Sequence, residues 1–246
     1  MNLILFENSE LEHPLPRADR RAEHMLRVLR LAVGASCDVA LVNGPRGKAT
    51  LVALDEAVLT LRFAWPAAEA RATQCETVHE PVTLVVGLPR PQTARDILRD
   101  ATTLGVAAIH FVRTEKAEAS YAQSSLWSSG EWRRHALAGA EQAFDARLPE
   151  ITHGRSLKEV LAALPAAATR LTLDNYESPA PLGEIALPAE RPLVLALGAE
   201  RGWSAAEREQ FRAGGFAFAH LGPRVLRTET AVIAALAIVR ARLGRM

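Results

Sequence analysis

The chain has 246 residues, 49% of them apolar and 23% charged, and its 29 basic and 28 acidic side chains leave a formal net charge of only +1. That length can bury the core of one large domain or two modest ones, while the near-neutral balance excludes a generic polyanion binder. No apolar run approaches the ~18 residues needed to cross a bilayer, and the two cysteines, Cys37 and Cys75, form no CxxC and join no His/Cys cluster, which argues against a disulfide framework or a metal site.

The N-terminus, MNLILFENSE, lacks the basic region and cleavage pattern of a secretory signal, so a cytoplasmic protein is expected. Residues 1 to about 65 read as a small β-rich module. A strand over Leu3–Phe6 and a helix from about Asp19 to Leu31 precede alternating segments at Cys37–Val42, Ala49–Ala53 and Val58–Phe63, with Asn43-Gly44-Pro45 as a turn. The helix is locally basic: Arg17, Arg20, Arg21, Arg27 and Arg30 stand against Asp19 and Glu23, which taken alone reads as a solvated face. Trp65–Glu80 has little apolar periodicity and reads as a linker, dividing residues 1–72 from 73–246.

From Val82 the pattern changes to βαβ. The run Val82–Val86, a helix over residues 93–104 and the run Val106–Val112 predict a parallel sheet. Ser128 with Glu131 and Ser156 with Glu159 carry the spacing of capping boxes, each opening a helix, the first running to about Asp145. Leu171–Leu173 is a further strand, and residues 174–188 are loop-rich.

The last quarter is the most informative. Leu193–Leu197 is a strand that breaks at Gly198, and Ser204 with Glu207 opens a helix; Phe216–Leu221 is a second strand that breaks at Gly222, and a basic loop leads to Thr228, the expected N-cap of a long apolar helix. In open α/β sheets, ligands bind outside the carboxyl ends of the strands, where glycines let backbone approach closely. Glu200, Arg201, Arg224, Arg227 and Glu229 are more polar side chains than two turns require. The helix segment Ala231–Val239 is apolar nearly all round, so it is buried on all sides, either inside its own domain or against a second subunit.

Several familiar chemistries are missing. No GxGxxG follows the strand ending Val86-Gly87-Leu88-Pro89, and neither a P-loop nor a GxSxG elbow occurs. Three lysines, Lys48, Lys116 and Lys158, stand among the 29 basic residues; the rest are arginines, whose planar fork suits phosphates and bases.

The string LGPRVLRTETA (Leu221 to Ala231), preceded by GAERGW, resembles the bacterial 16S ribosomal RNA (uracil-N3) methyltransferases of the SPOUT superfamily. HMLRVLR (His24 to Arg30), LPRPQTARDILRDATTLGV (Leu88 to Val106) and EQAFDARLPEI (Glu141 to Ile151) extend the likeness over essentially the whole chain, in the family's order. The resemblance implies a small N-terminal PUA-like β-barrel that binds RNA. It also implies a C-terminal SPOUT-type parallel sheet, within an α/β fold, tied in a trefoil knot that holds S-adenosylmethionine and pairs two subunits as a homodimer. Such knots are rare in proteins at large, and no periodicity points to one.

The motif match implies that Leu173, Leu197, Gly198, Gly202, Leu221, Gly222, Leu226, Arg227 and Thr228 hold the cofactor. Arg227 and Arg224 are then expected to stabilise an anionic uracil or grip a phosphate, with Glu229 or Glu200 as the base. A carboxylate at Glu229 is also favourable simply because it lies in a helix's first turn. Arg20, Arg21, His24, Arg27 and Arg30 are the expected RNA contacts, and the partner is ribosomal RNA or the small ribosomal subunit. The chain departs from the family pattern at Asp100, Thr103, Asp145, Ala199 and Arg201. Those departures keep two alternatives open: the same fold and cofactor with another RNA target, or a non-catalytic RNA-binding or ribosome-assembly protein.

Overall fold

The computed structural model describes residues 3–66, 80–188 and 190–245. The chain forms two compact units, Met1–Val78 with Ala140–Leu148, and His79–Gly139 with Pro149–Met246. Most of the expected linker, from residue 67 to 79, lies outside the described residues, as does Cys75.

In the first unit, β1 (Leu3–Phe6), β2 (Leu15–Pro16), β3 (Ser36–Leu41), β4 (Arg46–Leu54) and β5 (Val58–Ala64) form one sheet in the order β1-β3-β4-β5-β2. β1 runs parallel to β3 and the other pairs are antiparallel. The end strands β1 and β2 do not pair, so the sheet is a curled half-barrel. Alternate residues Ile4, Phe6, Val39, Ala49, Leu51 and Leu59 point to one core, which Met25 fills. The expected long helix is shorter and irregular. α1 (Arg20–Glu23), capped by the Asp19 side chain on the Arg21 N–H, widens into a π-helical turn over His24–Val28, and Arg30 at φ 51° ends it.

That turn corrects one expected RNA contact. Arg21 donates to Glu10 at 2.6 and 2.8 Å, to Asp19 at 2.8 and 3.0 Å and to the Leu5 carbonyl at 3.2 Å, and it lies 4.7 Å from the Phe6 ring centroid. With only 13% of its side chain exposed, it fastens α1 to the sheet and has no donor left for a phosphate. Arg20 makes a two-pronged pair with buried Glu141, at 3.0 and 3.1 Å, while half of its side chain stays exposed. Glu141 therefore ties the segment 140–148 to this unit, and the turn at Asn43, φ 56°, accepts from Leu148 N–H at 2.8 Å beside it.

The second unit is a seven-stranded parallel sheet. Its strands are β6 (Glu80–Gly87), β7 (Val106–Arg113), β8 (Glu150–Ser156), β9 (Thr169–Leu173), β10 (Ala180–Pro181), β11 (Leu193–Leu197) and β12 (Ala217–His220), in the order β10-β12-β9-β11-β6-β7-β8. The helices are α2 (Pro91–Thr103), α3 (Ala119–Ala122), α4 (Ser125–Ser128), α5 (Glu131–Ala143), α6 (Leu157–Ala163), α7 (Ala205–Ala213) and α8 (Thr228–Arg242). The period of two along β11 decides the layers: Leu193, Leu195 and Leu197 join the core with α2 and α8, whereas Val194 and Ala196 join the core with α6 and α7.

Capping boxes at Ser156/Glu159 and Ser204/Glu207 start α6 and α7. Ser128 does not cap a helix. Ser124 caps the short α4, the chain turns at Gly130, φ 74°, and Glu131 is instead bound by Arg95 and His135, which pulls its carboxyl down to about 2. Thr228 is likewise the first residue inside α8, and Arg227 occupies the cap position with no side-chain cap bond.

Asp100, Thr103 and Asp145 each have local partners. Arg99 binds Asp100 at 2.7 Å, the Thr103 hydroxyl donates to the Arg99 and Gly139 carbonyls, and Arg147 binds Asp145 at 2.6 Å. Within the chain α8 buries Val232, Ala235, Leu236 and Val239 but leaves Ile233 exposed, so one of its faces is uncovered. No described helix is long and apolar enough to cross a membrane.

Candidate functional site

The carboxyl ends of β12, β9 and β11 are level: Leu173 registers with both Leu197 and Ala219. The chain leaves each of these neighbours into a loop, and the three loops line an open-mouthed cavity of about 370 Å³. Two glycines let the loop after β11 fold tightly. A Cβ on Gly198 would meet the Gly202 Cα at 2.7 Å, and Gly202 itself adopts φ 63°, a conformation that favours glycine. Gly87, at the end of β6, is needed for a similar reason, since its Cβ would meet the Ala199 nitrogen at 2.6 Å.

Leu173, Leu197, Gly198, Gly202, Leu221, Leu226, Arg227 and Thr228 line the cavity, as do Arg224, Glu200 and Glu229. Gly222 does not line it; at φ 100° it turns the chain, and its N–H donates to His220 Nδ1 at 3.0 Å. The polar groups fall into two sets. Glu200 Oε1 accepts from the backbone N–H of Arg90 at 3.0 Å and from its Nε at 3.3 Å, so this carboxylate is committed to holding Arg90 over the cavity. Arg201 pairs with Glu118 at 3.1 Å. Among the described residues, Arg224 and Arg227 have no acceptor, and half-buried Glu229 has no donor.

Four lining residues, Arg90, Asp174, Asn175 and Tyr176, escaped sequence reasoning. Arg90 arrives from the distant end of β6. Asp174, one residue past β9, is buried with Arg208, whose Nε donates to it at 2.8 Å, and its other oxygen accepts from the N–H groups of Tyr176 and Glu177. Tyr176, so held, is 79% exposed. The LDNY string has an Asx-turn signature, which predicts a turn and nothing about a cavity.

The loop after β11 is also latched from outside. Lys116 donates to the carbonyls of Arg201 and Trp203, at 3.3 and 2.8 Å, and Glu207 accepts from the Glu115 N–H at 2.8 Å. Fully buried Trp203 packs edge-on against Phe211 beneath it. Among the described residues no cluster of three or more His, Cys, Asp or Glu could hold a metal ion.

Residues 76–240 match the RNA methyltransferase domain family. Over 98% of its length this chain is 36% identical to the ribosomal RNA small subunit methyltransferase E of Treponema pallidum, spanning 91% of that protein. The chain belongs to this methyltransferase E family. A second relative, the ribosomal RNA small subunit methyltransferase E 1 of Borreliella burgdorferi, is 25% identical with both chains covered in full. The ribosomal RNA small subunit methyltransferase E of Neisseria gonorrhoeae, solved bound to S-adenosyl methionine, has the same fold, with a TM-score of 0.76, 24% identity and 98% and 97% of the two chains covered.

Proposed function

We propose that this protein transfers the methyl group of S-adenosylmethionine to N3 of a uridine in 16S ribosomal RNA of the small subunit. The observation that carries this reading is the cavity at the ends of β12, β9 and β11, where two guanidiniums and one carboxylate, all without partners among the described residues, meet in a chain of the methyltransferase E family. The residues fit the cofactor. Ligand sites typically span about 300–1,000 Å³, and this one combines apolar walls, Leu173, Leu197, Leu221 and Leu226, with glycine backbone and a few polar groups.

S-adenosylmethionine, when bound, supplies an electrophilic methyl on a sulfonium, so the protein needs no covalent nucleophile of its own. Uracil N3 is a poor nucleophile until its N–H proton leaves. Glu229, in the first turn of α8, accepts that proton and so leaves N3 with the lone pair that a methyl donor held between the loops would meet. A carboxylate is a weaker base than a uracil anion. Arg224 and Arg227, exposed at the rim of the cavity, therefore stabilise the charge that develops on the ring oxygens. Glu200 is given the positioning role, since its Oε1 accepts two N–H groups of Arg90, and Glu229, which has no donor among the described residues, is given the role of base.

The same reading extends to the rest of the chain. The C-terminal segment is a trefoil knot, supported by α8 packing between α2 and the turn at Leu182–Glu184, with Arg242 donating to the Ile185 carbonyl at 3.3 Å. Two subunits pair through the uncovered face of α8 around Ile233 and Ala237. The first unit is the PUA-like RNA-binding domain, with Arg27, Arg30 and the exposed half of Arg20 meeting phosphates in the cytoplasm.

Nucleoside mass spectrometry tests the activity. Small subunits from a strain lacking the gene should gain 3-methyluridine on incubation with the protein and S-adenosylmethionine. A protein that binds the cofactor and changes no uridine would overturn the proposal.

A further inference from the structure

Tyr176 and Val225, at 79% and 83% exposure, are the two most exposed large apolar side chains among the described residues, and both line the one cavity just described. Exposed apolar groups scattered over a surface need no explanation, but two at one polar, arginine-rimmed cavity do. Tyr176 is also held in place. Its N–H and that of Glu177 both donate to Asp174 Oδ1 at 2.8 Å, the Ser178 hydroxyl donates to the Asp174 carbonyl, and Asp174 is itself fixed by buried Arg208. The Arg208 guanidinium carbon lies 5.4 Å from the Tyr176 ring centroid. One side of the ring thus rests on a cation, and the exposure belongs to the rest.

Chemistry says what such a ring is for, and this step rests on the reading of the reaction given above. N3 is on the pairing edge of uracil, so the target base must leave any duplex before it can be methylated, and unpairing and unstacking it costs free energy. Proteins offset that cost by stacking the extruded base on an aromatic side chain. We propose that Tyr176 is the platform on which the target uracil stacks, its backbone phosphate facing the cation Arg90 that lines the same cavity. The buried Asp174–Arg208 pair beneath the loop holds that platform in place.

The test uses the full-length protein. Tyr176→Ala should lower kcat/KM for methyl transfer to small subunits by about 5- to 150-fold, the range for loss of one base–aromatic stack, with S-adenosylmethionine affinity by calorimetry and oligomeric state by sedimentation unchanged. Tyr176→Phe and Tyr176→Trp should restore transfer, since they keep a π-face. In parallel, a single-stranded oligoribonucleotide carrying 5-iodouridine should photo-crosslink to the peptide containing Tyr176. The proposal is overturned if Tyr176→Ala transfers methyl as wild type does. Parallel loss of cofactor affinity overturns it too, making the ring a cofactor contact, as does dissociation of an oligomer, making it a protein contact. Should the wild type methylate no RNA at all, the assigned reaction fails, and the crosslink alone decides the platform: its presence at Tyr176 supports stacking and its absence ends the proposal.

Discussion

Gly198→Ala probes the cavity where its geometry is tightest. The new methyl carbon would stand 2.7 Å from the Cα and 2.9 Å from the carbonyl carbon of Gly202, where a relaxed carbon pair sits at about 3.5–4.0 Å. Both obstacles are backbone, so no rotamer change can relieve them, and the loop must retreat by about 1 Å. Overpacking of this kind costs about 1–3 kcal/mol, equivalent to a Tm loss of about 2–12 °C for a chain of this size. The functional effect should be larger, because a displacement of about 1 Å at a reacting centre lowers rates by about 100-fold. Calorimetry with S-adenosylmethionine and methyl transfer to small subunits measure both effects. Gly183→Ala is the control: its Cβ would meet nothing within 4 Å, and wild-type behaviour is expected. A Gly198→Ala protein with native cofactor affinity and native transfer rate would refute the placement of the cofactor between these loops.

Arg227→Ala should lower kcat by about 100- to 1,000-fold, as loss of one charge-stabilising donor does, and cofactor affinity by less; unchanged turnover removes the role given to this arginine. Arg208→Leu strands the buried Asp174 carboxylate, and breaking such a pair costs about 3–5 kcal/mol. The two N–H groups that remain on Asp174 favour the lower end, and a change below about 1 kcal/mol in urea unfolding would contradict the burial described. His110 and His153 are both held below their ordinary value of 6.5 by burial. A depressed folded value means the unfolded chain binds more protons, so their contribution is complete above pH 6.5 and is lost as pH falls through the folded values. Tm should therefore drop from pH 7.5 to 5.5, and the double variant His110→Gln, His153→Gln should drop less.

Strands and caps that depend on neighbouring residues were legible in advance. Leu193–Leu197 is continuous apolar sequence and lies at the centre of the sheet, and Ser204 with Glu207 forms the expected capping box because both partners lie within one helical turn. β8 was not legible: EITHGRS is a polar edge strand that pairs on one side only, so burial leaves little pattern in it. Ser128 failed as a cap because its partner, Glu131, found Arg95 some 36 residues away, an interaction no local spacing records.

The sequence by itself determined the α/β pattern, the two glycine-bearing loops and, through GAERGW and LGPRVLRTETA together, most of the cavity's lining, because each of these is contiguous in the chain. Tertiary structure alone decided which charges remain available. It closed Arg21 into a network with Glu10 and Asp19, tied Glu200 to Arg90 across 110 residues and left Arg224, Arg227 and Glu229 without partners among the described residues. It also brought Asp174 and Tyr176 to the cavity, by setting β9 between β11 and β12. Parallel strands are joined by long crossovers, so neighbours in the sheet are strangers in sequence, and the chemistry at their ends is assembled only when the sheet forms.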